Sequence, residues 1–127
     1  MVDAVLVVDD NPINLKLVRV LLTGEGFDVR TAADAEEALA QLEVFHPRLI
    51  LMDLQLPGID GFQLARRLKA DPRYRSIAIV ALTAYAMQGD EGRALAAGCD
   101  GYVAKPIDVK SLAQMVRRHL GGAREET

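Results

Sequence analysis

The chain has 127 residues, 50% of them hydrophobic and 26% charged, with a formal net charge of -3. That length suits one compact domain and is too short for two ordinary ones, and the composition is that of a soluble globular protein. A mildly acidic chain has no global electrostatic reason to bind nucleic acid, and a single cysteine, Cys99, excludes an internal disulfide and a cysteine-based metal site.

The first apolar run, "AVLVV" at 4–8, is too short for a signal-peptide core or a membrane span, and acid follows it. The protein is therefore expected in the cytoplasm, without a membrane partner. Three more continuous runs follow: "LILM" at 49–52, "IAIVAL" at 77–82 and "YVA" at 102–104. None alternates polar with apolar, so they suit strands covered on both faces. "DVRTA" at 28–32 is a weaker fifth strand.

Helical patterns lie between the runs. Over 12–23 the polar positions Pro12, Lys16, Arg19 and Thr23 form one stripe, and the rest is mostly apolar. Asn11 or Asp10 caps this helix, Pro12 takes its first position, and Gly24 and Gly26 end it. A second helix is predicted over 34–45, opening with acids, and a third over 61–70 with Phe62, Ala65 and Leu68 on one face. A weaker, alanine-rich helix covers 87–97. A fifth covers 109–120, with Asp108 as its N-cap and Val109, Leu112, Ala113, Val116 and Leu120 on one face. Residues 1–121 are expected to form the domain and 122–127 a short frayed tail.

The order is β-α repeated five times, which implies an α/β fold: a doubly wound parallel sheet of five strands with helices on both faces. In such a sheet the ligand crevice lies outside the carboxyl ends of the strands. Asp9 and Asp10 follow the first strand, Asp53 ends the third, Thr83 the fourth and Lys105 the fifth. Three acids, a hydroxyl and an ammonium are thereby expected at one rim. Two unit charges ~4 Å apart repel by roughly 4 kcal/mol at an effective dielectric near 20, so the acids need cations. Lys105 supplies one. Oxygen donors alone favour Mg²⁺, which keeps waters and often partners a phosphate. A carboxylate beside a metal, an ammonium and a hydroxyl is also a phosphoryl acceptor, with backbone N–H groups near Gln55 and Ala84 as further donors.

"VVDDNP", "LILMDLQLPGIDG", "LTAY" and "YVAKPID" stand in order at the ends of four successive apolar runs. On these motifs the chain resembles the response-regulator receiver domain, the CheY-like phosphoacceptor of two-component signalling, from about Asp3 to Leu120. The resemblance implies a flavodoxin-like sheet in the order 2-1-3-4-5. It makes Asp53 the phosphorylated residue, with Mg²⁺ held by Asp10 and Asp53, by the Gln55 backbone carbonyl, and by Asp9 mostly through water. It gives Thr83 and Lys105 the phosphoryl oxygens. Thr83 and Tyr102 become the switch pair, Gln55 and Tyr85 the modulators of phosphate lifetime, and Lys105–Pro106 a cis peptide. "DDNPINLKLV" and "AMQGDE" are similar to free-standing single-domain regulators of the DivK type and to receivers of hybrid histidine kinases. The initial Met and short tail favour the free-standing kind.

The implied partners are a histidine kinase or histidine phosphotransfer protein and a downstream protein, since no output domain is present. A monomer or weak dimer is expected. Two other functions compete. A haloacid-dehalogenase-like phosphatase also uses an Asp nucleophile and Mg²⁺, but it wants a second acid where Gln55 stands. A flavodoxin-like flavin binder wants a hydroxyl- and glycine-rich loop where Asp9 and Asp10 stand. His46, His119, Cys99 and the arginines Arg66, Arg67, Arg117 and Arg118 are read as packing or solvated residues.

Overall fold

Each predicted apolar run forms a strand in the computed structural model, which describes residues 3–54, 56, 61–83, 92, 95–104 and 110–125. The strands are β1 (Ala4–Val8), β2 (Asp28–Ala32), β3 (Leu49–Asp53), β4 (Ala78–Thr83) and β5 (Gly101–Ala104). All pair in parallel, in the order β2-β1-β3-β4-β5. Every residue of β3 is buried, as the unbroken run predicts. At the edge, β2 alternates between exposed and covered positions, which explains its weaker apolar signal.

The helices are α1 (Pro12–Gly24), α2 (Ala35–Leu42), α3 (Gly61–Ala70) and α4 (Leu112–Glu125). Strand residues alternate between two cores. Val5, Val7, Leu49, Leu51 and Val80 pack with Val18 and Leu22 of α1 and with Leu112, Val116 and Leu120 of α4. Leu6, Val8, Ile50, Met52 and Ile79 pack with Leu42 of α2 and with Leu64 and Leu68 of α3. Among the described residues, helices thus cover both faces, so the doubly wound architecture follows directly from uninterrupted strands.

The helix ends show which local signals hold. Asn11, rather than Asp10, caps α1: its side-chain oxygen accepts from the N–H groups of Ile13 (2.9 Å) and Asn14 (3.4 Å). Asp34 caps α2 by accepting from the Glu37 N–H at 2.8 Å. That helix stops at Leu42, three residues before the predicted end, as Glu43 and Val44 donate to the carbonyls of Ala40 and Gln41. These tighter turns lead the chain toward Pro47, which disfavours helical geometry at the residue before it. Phe45 is then buried under the Arg30 guanidinium, 4.7 Å from its ring centre.

Of the helix expected over 87–97, residues 92, 95 and 96 are helical, while 87–91, 93 and 94 lie outside the described residues. The last helix starts at Leu112 rather than 109, with the Ser111 carbonyl accepting from Met115 at 2.9 Å; Asp108, its expected cap, lies outside the described residues. It runs through Gly121 and Gly122 to Glu125, past the expected end at Leu120. Each glycine costs a helix about 1 kcal/mol without forbidding it. His119 therefore sits inside the helix rather than near its end, and its ring fills the space beside Gly101.

Two charged residues tie elements together. Arg117 of α4 donates to the Glu25 carboxylate at 2.7 Å and lies over Phe27, joining α4 to the end of α1. The Lys69 ammonium at the end of α3 donates to Asp100 (2.7 Å) and to the carbonyls of Ile77 (2.8 Å) and Arg75 (3.2 Å). The same Asp100 carboxylate oxygen accepts from Ile79 N–H, so the starts of β4 and β5 share one anchor. Beside it, burial pushes the Cys99 thiol up to about 11, which keeps it protonated at neutral pH and makes it a packed residue, as expected.

Candidate functional site

The strand order reverses between β1 and β3, because β2 lies outside β1 while β3 lies on its other side. Register then sets the depth of the rim. Val8 pairs with Met52, so Asp9 and Asp53 each stand one residue beyond a matched pair. The Asp9 N–H continues the ladder to Ala32 at 3.1 Å. Asp9, Asp10 and Asp53 each present a carboxylate oxygen, and these three atoms lie within 4.8 Å of one another. Asp9 and Asp53 are buried, at 1% and 3% exposure, whereas Asp10 is open to solvent.

The first turn of α1 fixes Asp9. One carboxylate oxygen accepts from the Asn11 N–H at 2.9 Å, the other from the Asn14 side-chain amide at 3.3 Å. The positive end of the helix dipole favours a carboxylate there. Periodicity alone leaves Asn14 among the mostly apolar positions of this helix and gives it no role. Its spacing from Val18 and Leu22, a polar residue heading a buried stripe, is the sequence signal that marks it.

Asp53 is fixed by packing behind it. After it, the Leu54 N–H donates to the Leu82 carbonyl, and the Leu54 carbonyl accepts from Gly61. The start of α3 presses so closely that a Cβ on Gly61 would stand 2.6 Å from both the Asp53 carbonyl oxygen and Leu54 Cα. Both neighbours are backbone and cannot swing aside. Gly61→Ala is therefore expected to lower the unfolding free energy by about 1–3 kcal/mol in a denaturant titration. Gly24→Ala, with nothing within 4 Å of the new methyl, should leave stability unchanged or raise it.

The donor set fits a hard divalent cation. All three ligand types are carboxylate oxygens, as Mg²⁺ prefers. The three oxygens, all within 4.8 Å of one another, stand close enough for one such cation to be served by the set. Thr83 ends β4 beside Ala104 of β5, and Tyr102 pairs with Ala81. Gln55, Tyr85, Lys105 and Pro106 lie outside the described residues.

Comparison with known proteins agrees with this geometry. Residues 5–117 match the family described as "Response regulator receiver domain". The polar-differentiation response regulator DivK of Brucella ovis is 40% identical over 123 residues, which cover 97% of this chain and all of that protein. A CheY-like receiver domain protein from Methanospirillum hungatei superposes with a TM-score of 0.91 at 28% identity, covering both chains completely. The receiver domain of a sensor histidine kinase from Pseudomonas aeruginosa superposes with a TM-score of 0.86 at 36% identity, covering 95% of this chain and 99% of that one. That structure holds a magnesium ion coordinated in its active site cleft.

Proposed function

The chain belongs to the response regulator receiver domain family, and from that premise we propose how its own residues carry out phosphoryl transfer. As a receiver domain it is a signalling phosphoacceptor rather than a classical enzyme, which sets aside the phosphatase and flavin readings. The observation that carries the proposal is the convergence of Asp9, Asp10 and Asp53 at the point where the strand order reverses.

Asp53 is the acceptor. Its carboxylate oxygen attacks the phosphorus of a phosphohistidine in line; the P–N bond breaks, and the imidazole leaves. The product is an acyl phosphate on Asp53. Asp10, Asp53 and the Gln55 carbonyl would hold Mg²⁺ directly, and Asp9 would do so mostly through water. When bound, the ion supplies positive charge opposite the developing phosphoryl charge. Lys105 and Thr83 donate to the phosphoryl oxygens. Tyr85 covers the group and slows its hydrolysis by excluding water, since the Gln55 amide is no general base.

The phosphoryl donor is a histidine kinase or histidine phosphotransfer protein in the cytoplasm. Among the described residues, no helix is long and apolar enough to cross a membrane. The direct test is incubation with acetyl phosphate and Mg²⁺. A stable mass gain of one phosphoryl group supports the acceptor role, and catalytic release of inorganic phosphate counts against it.

The signal leaves through β5 and its neighbours. Thr83 moves toward the phosphoryl group, and Tyr102 fills the space it vacates. Coupling of this kind is typically about 1–3 kcal/mol. Thr83→Ala is expected to accept phosphate yet transmit poorly. In NMR spectra, phosphorylation should shift amide signals over 87–95 and 102–109 in the parent protein and much less in the variant. Equal shifts in both would place the switch elsewhere.

A further inference from the structure

α1 is apolar where it meets the sheet, with one exception. Val18 and Leu22 are buried at helical spacing, and Asn14 stands one turn before Val18 on the same stripe. A leucine there would continue the stripe, and asparagine is a poorer helix former. Local rules are most often broken where function requires it. What Asn14 does is visible: its amide donates to Asp9 at 3.3 Å, across five residues, while the Asn11 N–H holds the other carboxylate oxygen at 2.9 Å. A buried carboxylate gripped at both oxygens has its plane fixed before any cation arrives.

We infer that Asn14 is a positioning residue for the cation site, setting the affinity for Mg²⁺ by holding the Asp9 carboxylate in the orientation from which it serves the ion's water shell. The role rests on the acceptor-site reading given above. Without the amide, one oxygen of Asp9 loses its hold on α1. The carboxylate is then less firmly oriented, and the preorganisation that the amide gives the cation site is reduced. Asn14 touches neither the cation nor the phosphoryl group; it acts through Asp9.

The test is a Mg²⁺ titration, by calorimetry or NMR, of the parent, Asn14→Leu, Asp9→Asn and the double variant, with a thermal unfolding curve for each. Leucine extends the buried stripe, so Asn14→Leu is expected to unfold at the parent's temperature or higher. Its Mg²⁺ dissociation constant should nevertheless rise about tenfold, the lower end for loss of an outer-shell partner. In the Asp9→Asn background the same change should alter the constant less than twofold, because the route through Asp9 is already gone. Asn14→Ala serves as the second variant should leucine disturb the fold. Unchanged or tighter Mg²⁺ binding in Asn14→Leu would overturn the role, as would a tenfold loss that persists in the Asp9→Asn background. No Mg²⁺ binding by the parent would overturn the cation site itself, and this role with it.

Discussion

Asp53→Asn is expected to take up no phosphoryl group from acetyl phosphate in the presence of Mg²⁺, while the parent protein is expected to gain one. The carboxamide keeps the shape of the carboxylate but has no anionic oxygen to attack phosphorus. Its two acidic neighbours are placed for other roles. Asp9 is buried and gripped by α1 at both oxygens, and Asp10 stands on the open side of the cluster. Loss should therefore be complete rather than partial. The variant should also fold at least as well as the parent without metal, because one of several clustered like charges is gone. Intact mass spectrometry reads the uptake, and peptide mapping reads the position. Phosphate found on His46, His119 or Thr83 of the parent would refute the assignment.

The sequence made the frame of this site readable because strand and acceptor signals coincide. "AVLVV" and "LILM" are unbroken apolar runs, so both had to be covered strands, and the acids behind them had to share a rim. Parallel pairing with matched ends, Val8 against Met52, then fixed Asp9 and Asp53 at equal depth. What was not legible depended on contacts between segments. Nothing local shows that Gly61 lies against the Asp53 carbonyl, since that closeness is set by how α3 packs on β3. The stripe of Val18 and Leu22 singles out Asn14, but its role shows only when its amide is seen on Asp9. The early end of α2 and the late end of α4 depart from the sequence pattern for opposite reasons. Tight turns toward Pro47 stop the first, while the glycine pair after Leu120 is too mild a signal to stop the second.

Asp10→Asn is expected to weaken Mg²⁺ binding by on the order of 100-fold, and Asp9→Asn by about tenfold. The two acids are adjacent in sequence, so a purely electrostatic account would make them equivalent: each removes one negative charge from the same cluster. The structure separates them. Asp9 is 1% exposed, and both its oxygens already accept hydrogen bonds from α1, from Asn11 and from Asn14. Asp10 is exposed to solvent beside Asp9 and Asp53. Mg²⁺ sheds water reluctantly and binds few protein oxygens directly. It should take the accessible carboxylate of Asp10 with that of Asp53 and leave Asp9 to hold a coordinated water. Losing a direct anionic ligand then costs more than losing an outer-shell one. Mg²⁺ titrations followed by calorimetry measure both constants. Because phosphoryl uptake depends on the ion, the two variants should also need more Mg²⁺ for half-maximal phosphorylation, in the same order. Equal losses in the two variants, or a larger loss in Asp9→Asn, would show that Asp9 turns from α1 to ligate the ion directly.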